Sequence, residues 1–274
     1  MSTAYKDINN YPVRRYVDTH IHLDMYEEDR ASAFMSALGT TAGVDYVVAV
    51  SMHLESCKAT EVLASCSNRV LPAYGYHPEQ ELPSEEAYAA LFAWMDQRQS
   101  QMRAIGEVGL PYYRREEALM RGEPFHREPY IELLEPFIKR AAAWNKPIVL
   151  HAVYDDAPIV CDMLERHSVR KAHFHWFKGD NKTIQRMAAN GYYVSFTPDL
   201  LYEAEIMQLA NQYPSGQVMT ETDGPWLFEG PFVGRSTEPE MVKSVAAKWA
   251  VLQGLSETEA ADILYRNAQR LYEF

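Results

Sequence analysis

The chain has 274 residues, 47% of them hydrophobic, and a formal net charge of −12. That length suits one large α/β domain spanning 1–274, and the acidity argues against a protein that coats duplex DNA by bulk electrostatics. It does not exclude a nuclease, because bound divalent cations place positive charge where a phosphate would sit.

The N-terminal "MSTAYKDINNYPVRR" lacks the apolar core of a secretory signal. A first strand is predicted over 16–20, in "VDTHIHLD", with His20 and His22 at its end. Residues two apart in a strand share a face, so both imidazoles would point the same way. Arg14 and Arg15 precede this strand and are expected at its opposite end, in structural roles. Further strands are predicted over 45–51 and 70–76, the latter followed by His77 in "YGYHPE". Residues 84–97 have helical period, with Ser84 as N-cap and two glutamates in the first turn. The strand over 103–109 carries Glu107 in "AIGEVGL". The charged segment 111–128 is long for a strand-to-helix connection and reads as a functional loop.

The next strands are expected over 147–151, ending at His151, and over 171–176, holding His173 and His175 in "HFHWFKG". The last two cover 192–196 and 217–222, and Asp223 follows in "TETDGPW", before a Gly-Pro turn. A final helix over 256–274 opens with a capping box, Ser256 to Glu259, and puts Ile263, Leu264, Ala268, Leu271 and Tyr272 on one face.

Eight strands alternating with helices predict an α/β TIM-type (β/α)8 barrel, with an open doubly wound sheet as the alternative. Apolar runs such as "YVVAV" (46–50) are too short to cross a bilayer. The widely spaced Cys57, Cys66 and Cys161 predict reduced thiols and a cytoplasmic protein. No membrane association and no obligate protein partner is suggested.

Metal-capable residues recur at one place, the carboxyl ends of strands, which in a parallel barrel share one face. A lone strand histidine is usually a packing residue; His, Glu and Asp at several strand ends point instead to a metal centre. Imidazole plus carboxylate, without thiolate, suits zinc, manganese, magnesium, nickel or iron. Six ligands exceed the needs of one tetrahedral ion and fit two divalent ions sharing a carboxylate. His53, His126 and His167 have no motif around them and fall outside this set.

The motifs "DTHIHLD", "YGYHPE", "AIGEVGLPYY", "PIVLHA", "HWFKG", "ETDGPW" and "YRNAQRLYEF" together resemble the TatD family of metal-dependent deoxyribonucleases, in the amidohydrolase superfamily. The resemblance runs from about Val17 to the end. It implies a first ion held by His20, His22, Glu107 and Asp223, and a second held by Glu107, His151 and His175, with Glu107 bridging. It selects His175 over His173, which reads as a barrel-interior histidine. It also implies that His77 contacts substrate. Four positions depart from the family pattern: Pro111 replaces an aspartate, Ala152 and Val153 replace Ser-Arg, and Lys178 stands where serine is common. All four are expected where substrate is gripped.

The implied reaction is hydrolysis of a DNA phosphodiester, on ends or single strands, with Asp223 and Glu107 as catalytic carboxylates and Asp223 taking the proton from water. Lys178, Arg114 and Arg115 could supply positive charge, and Trp226 could stack on a base. A small ester, amide or phosphomonoester is the alternative substrate. A barrel that binds metal without turnover is the third reading.

Overall fold

Short apolar, β-branched runs become eight strands because a parallel sheet buries both of its faces. They are β1 Val17–Ile21, β2 Tyr46–Ala49, β3 Val70–Tyr74, β4 Ala104–Gly109, β5 Ile148–His151, β6 Ala172–Phe174, β7 Tyr193–Phe196 and β8 Val218–Thr220. The computed structural model describes residues 14–41 and 43–274. The N-terminal segment read for a signal therefore lies outside the described residues, apart from Arg14 and Arg15.

Each strand pairs in parallel with the next, in the order β1 to β8. This sequential order makes a nearly closed barrel and not a doubly wound sheet. β8 returns to β1 through side chains. The Thr19 hydroxyl donates to the Thr220 carbonyl at 3.0 Å, and the Thr220 hydroxyl donates to the Val17 carbonyl at 3.2 Å. Just beyond, the Asp223 N–H donates to the His20 carbonyl at 2.9 Å, and the His22 N–H to the Gly224 carbonyl at 2.8 Å.

Helices wrap the barrel: α1 Glu28–Ala37, α2 Leu54–Cys66, α3 Glu85–Asp96, α4 Tyr112–Met120, α5 Glu128–Trp144, α6 Asp156–Arg166, α7 Asn181–Ala189, α8 Ala204–Gln212, α9 Val242–Gln253 and α10 Glu257–Tyr272. The Ser84 side chain caps α3, and both halves of the Ser256–Glu259 capping box open α10. Inward residues Val48, Ala104, Val149 and Met219 pack with Tyr265, Leu271 and Tyr272 of α10 in one buried cluster. Full burial of such side chains contributes roughly 1.5–3 kcal/mol each, so α10 is a firm plug on the barrel floor. At the same end Arg14 pairs with Glu257, and the Arg15 guanidinium lies 3.9 Å from the Tyr265 ring centre. Both arginines are thus structural, as expected.

Two expectations need correction. The segment 111–128 is not an irregular loop: it contains all of α4. Its helix start was hidden because Pro111 offers no side-chain cap, and the cap comes from another loop. The second, third, sixth and eighth strands also end two residues short of the expected bounds, at Ala49, Tyr74, Phe174 and Thr220; beyond the sixth, Trp176 sits at φ 38°.

Candidate metal centre

Glu107 on β4 is completely buried, and its two carboxylate oxygens face two different groups. Oε2 lies 3.1 Å from His20 Nε2 and 3.3 Å from His22 Nε2. Asp223 Oδ1 approaches the same two nitrogens, at 3.3 and 3.4 Å. Oε1 lies 2.7 Å from His175 Nε2, 3.0 Å from His151 Nδ1 and 3.2 Å from His77 Nε2. Three overlapping trios, His20–His22–Asp223, His20–Glu107–His175 and His77–Glu107–His151, each bring their donor atoms within 4.8 Å of one another.

Local structure enforces this convergence. At Gly109 a Cβ would overlap the carbonyl of His151, and at Gly75 it would sit 2.6 Å from the Glu107 carbonyl. Only glycine lets β4 approach its neighbours this closely. Asp18 accepts from the Thr222 N–H at 2.9 Å, the Thr222 hydroxyl at 2.5 Å and the His20 N–H at 3.3 Å. It therefore ties the end of β1 to the turn that carries Asp223. Burial pushes the Asp18 carboxyl up to about 7 despite the Thr222 bonds. Asp223 itself sits at φ 48°, a region aspartate tolerates better than most residues. Glu221, also buried, accepts from the Trp176 N–H at 2.7 Å and the Ser195 hydroxyl at 2.6 Å. Burial raises it to about 8.

The charges are mutually arranged. Burial alone would raise Glu107, but the charges of His175, His77 and His20 hold it well below the usual carboxylate range. Burial likewise opposes ionisation of Asp223, and the close approach of His20 and His22 outweighs it. Burial works against protonation of His22 and His151, yet their carboxylate neighbours carry them to about 9 and about 10. Burial and the charge of His20 instead leave His175 at about 4, although Glu107 works the other way. His20 and His175 stack with ring centres 3.9 Å apart, so protonating one opposes protonating the other.

The donor atoms fit a cation better than they fit each other. His20 Nε2, Glu107 Oε2 and Asp223 Oδ1 are close but buried with no hydrogen bond among the described residues. They approach at hydrogen-bond distance without hydrogen-bond angles, which is how ligands aimed at a common point look. Leaving such groups unsatisfied costs about 1–3 kcal/mol each, more when charged, and a divalent ion removes that cost. The imidazole and carboxylate donors are the chemistry of a divalent-metal site.

All six residues expected as ligands, His20, His22, Glu107, His151, His175 and Asp223, are brought together. His77, expected to touch substrate, has its Nε2 3.2 Å from Glu107 Oε1, alongside His151. Trp226 is half-exposed in the turn after Asp223. Lys178 is half-buried, its Nζ 5.7 Å from the Trp176 ring centre. Ala152 and Val153 are buried and present no surface for gripping substrate. Arg114 is taken by Glu81 at 2.5 Å, and Arg115 by Asp155 at 2.5 Å and Asp156 at 2.9 Å. His173 is an interior histidine, with Nδ1 at 2.7 Å from the Tyr272 hydroxyl and Nε2 at 2.5 Å from Ser195. His53 caps α2, and His167 pairs with Glu135 at 3.0 Å.

Sequence reasoning passed over Asp18, Glu79 and Glu221, though each lies in a motif singled out for its histidine or aspartate. Their signal was spacing: Asp18 and Glu221 each lie two residues before a metal-capable residue, and Glu79 lies two after His77.

A nearly closed parallel barrel with this His/Glu/Asp cluster at its strand ends defines a metal-dependent hydrolase. The chain belongs to the TatD related DNase family, whose model matches residues 17–273. It is 35% identical to an uncharacterized metal-dependent hydrolase of Haemophilus influenzae, over 93% of this chain and 98% of that one. It is 27% identical to human deoxyribonuclease TATDN3, over 93% and 94% of the two chains. Among solved structures, YJJV, a TatD homologue from Escherichia coli K12, superposes with a TM-score of 0.78 at 22% identity, covering 96% of this chain and 99% of the other. An uncharacterized amidohydrolase from Saccharomyces cerevisiae shares the fold at a TM-score of 0.68 and 14% identity, covering 94% and 99%.

Proposed function

We propose that this chain is a two-metal phosphodiesterase that cleaves DNA at ends or in single strands, in the cytoplasm. The observation that carries the reading is the division of Glu107 between two clusters, one oxygen to each. His20, His22, Glu107 and Asp223 would hold one ion, and Glu107, His151 and His175 the other, with His77 completing the imidazole set around Oε1. Bound there, divalent cations would bring the pKa of water toward about 7 and neutralise charge developing on phosphoryl oxygens. Asp223 would accept the proton of the attacking water, the role that the family resemblance implies. Glu107 holds the two clusters in fixed relation. The half-exposed rings of Trp226 and Tyr113 offer stacking faces for unpaired bases, an interaction worth roughly 1–3 kcal/mol per base. The relative named as a human deoxyribonuclease supports the choice of DNA.

A second reading, hydrolysis of a small phosphomonoester, ester or amide, is favoured by one observation. Arg114 and Arg115, which could have gripped a polynucleotide backbone, are engaged by carboxylates. A panel assay separates the two. Purified protein with manganese or magnesium is offered single-stranded DNA, duplex DNA, a nitrophenyl phosphate and a set of amides. DNA turnover, lost in Asp223→Ala, is the expected result. Turnover of a small substrate alone moves the assignment to the second reading, and no turnover by protein holding two ions rejects both.

A further inference from the structure

Glu79 belongs to none of the three donor trios, yet it touches two things that matter to them. Its Oε1 lies 3.1 Å from His151 Nε2. The same carboxylate accepts the N–H of Tyr113 at Oε1 and of Arg114 at Oε2, both at 2.8 Å. Those amides belong to the first turn of α4, whose own N-cap position is Pro111 and supplies no side-chain bond. The first amides of a helix need an acceptor, and here it comes from a loop more than thirty residues earlier. A carboxylate there also opposes the positive end of the helix dipole. On the other side, an anionic acceptor at Nε2 keeps a proton on that nitrogen and turns Nδ1 toward Glu107 and His175, which lie 3.0 and 3.1 Å away. α4 in turn carries Tyr113, whose ring centre stands 5.9 Å from that of His151 and whose side chain is half-exposed.

We propose that Glu79 is a positioning residue that couples α4 to the second metal position: one carboxylate caps the helix in place of the residue at 111 and fixes the tautomer and orientation of His151. The proposal rests on the two-ion reading. Outer carboxylates behind metal-ligating histidines generally change metal affinity by about 10–100-fold. The loss of one N-cap corresponds to about a fivefold change in local opening.

The test uses three proteins: the wild type, Glu79→Ala, and Glu79→Ala with Pro111→Asp, which restores a local cap. Each is stripped by chelation and titrated calorimetrically with Mn²⁺, and amide hydrogen exchange is followed over residues 112–120. Glu79→Ala is expected to bind its second ion about 10–100-fold more weakly and to exchange the α4 amides about fivefold faster. The double variant is expected to recover α4 protection but not the second-ion affinity. Glu79→Gln, which keeps an acceptor, is expected to fall between wild type and Glu79→Ala on both measures. Wild-type affinity in Glu79→Ala overturns the role at His151, and unchanged exchange overturns the capping role. Recovery of both properties in the double variant overturns direct orientation and leaves an effect through α4 alone. A wild type that takes up only one ion overturns the two-ion reading, while the exchange arm still tests the cap.

Discussion

At the scale of single residues, Glu107 has no substitute. Each of its oxygens serves a separate cluster, whereas His22 belongs to one and His151 to the other. Glu107→Ala is therefore expected to weaken uptake of both ions, while His22→Ala weakens only one; calorimetric titration of stripped protein with Mn²⁺ reads the stoichiometry. Equal stoichiometry in the two variants would refute the division of the carboxylate. Truncating a group inside a buried charge cluster strands its partners, so both variants are also expected to lose about 3–5 kcal/mol of metal-free stability. The ligand-capable residues were legible in the sequence because His20, His22, Glu107, His151, His175 and Asp223 all fall at or just past the carboxyl ends of the expected strands. Asp18 and Glu79 were not, because what they do depends on distant partners. Asp18 finds Thr222 204 residues away, and Glu79 finds His151 72 residues away. No local pattern encodes such pairings.

At the scale of elements, the strands and two helix starts were legible for the same reason: their signals are local. β-branched runs buried on both faces need no partner to be recognised, and Ser84 and Ser256 cap helices from the adjacent position. α4 was illegible because its cap is not adjacent. The capping box of α10 carries a direct consequence for stability. Ser256 accepts the Glu259 N–H at 3.2 Å, while Glu259 Oε2 accepts the Ser256 N–H at 3.0 Å. α10 plugs the barrel floor through Leu271 and Tyr272, so fraying it loosens the whole core. Ser256→Ala is expected to destabilise the protein by about 1 kcal/mol, seen as a lower urea midpoint with an unchanged slope. Metal uptake, at the opposite end of the barrel, should not change. A shift in metal affinity would show that floor and site communicate, for which the chain from Tyr272 through His173 and Ser195 to Glu221 offers a path.

At the scale of the whole molecule, the barrel gathers buried imidazoles and carboxylates from six strand ends, counting His77 after β3, and leaves several of their atoms without hydrogen bonds among the described residues. The fold was anticipated from eight strands alternating with helices, and the gathering of these side chains from their recurrence at strand ends. The seam was not: β1 meets β8 through Thr19, Thr220 and the Asp18–Thr222 bonds, which no periodicity announces. The same seam carries His20, His22 and Asp223, so ions held there would brace the barrel at its closing point. Metal removal should then cost global stability. An ion present at a hundred times its dissociation constant stabilises the folded state by about 2.7 kcal/mol. For a chain of this size that corresponds to roughly 5–10 °C in melting temperature. The pH dependence has a definite sign. Without metal, His22 and His151 titrate near 9 and 10, so both hold a proton at neutral pH. A ligating nitrogen must give its proton up. Uptake at pH 7 is therefore expected to release protons, to bind more tightly as pH rises toward 9, and to weaken on acidification. Calorimetry in buffers of different ionisation enthalpy measures the protons released. Uptake with no proton release, or with affinity that falls as pH rises from 6 to 8, would show that the ions bind somewhere other than this cluster.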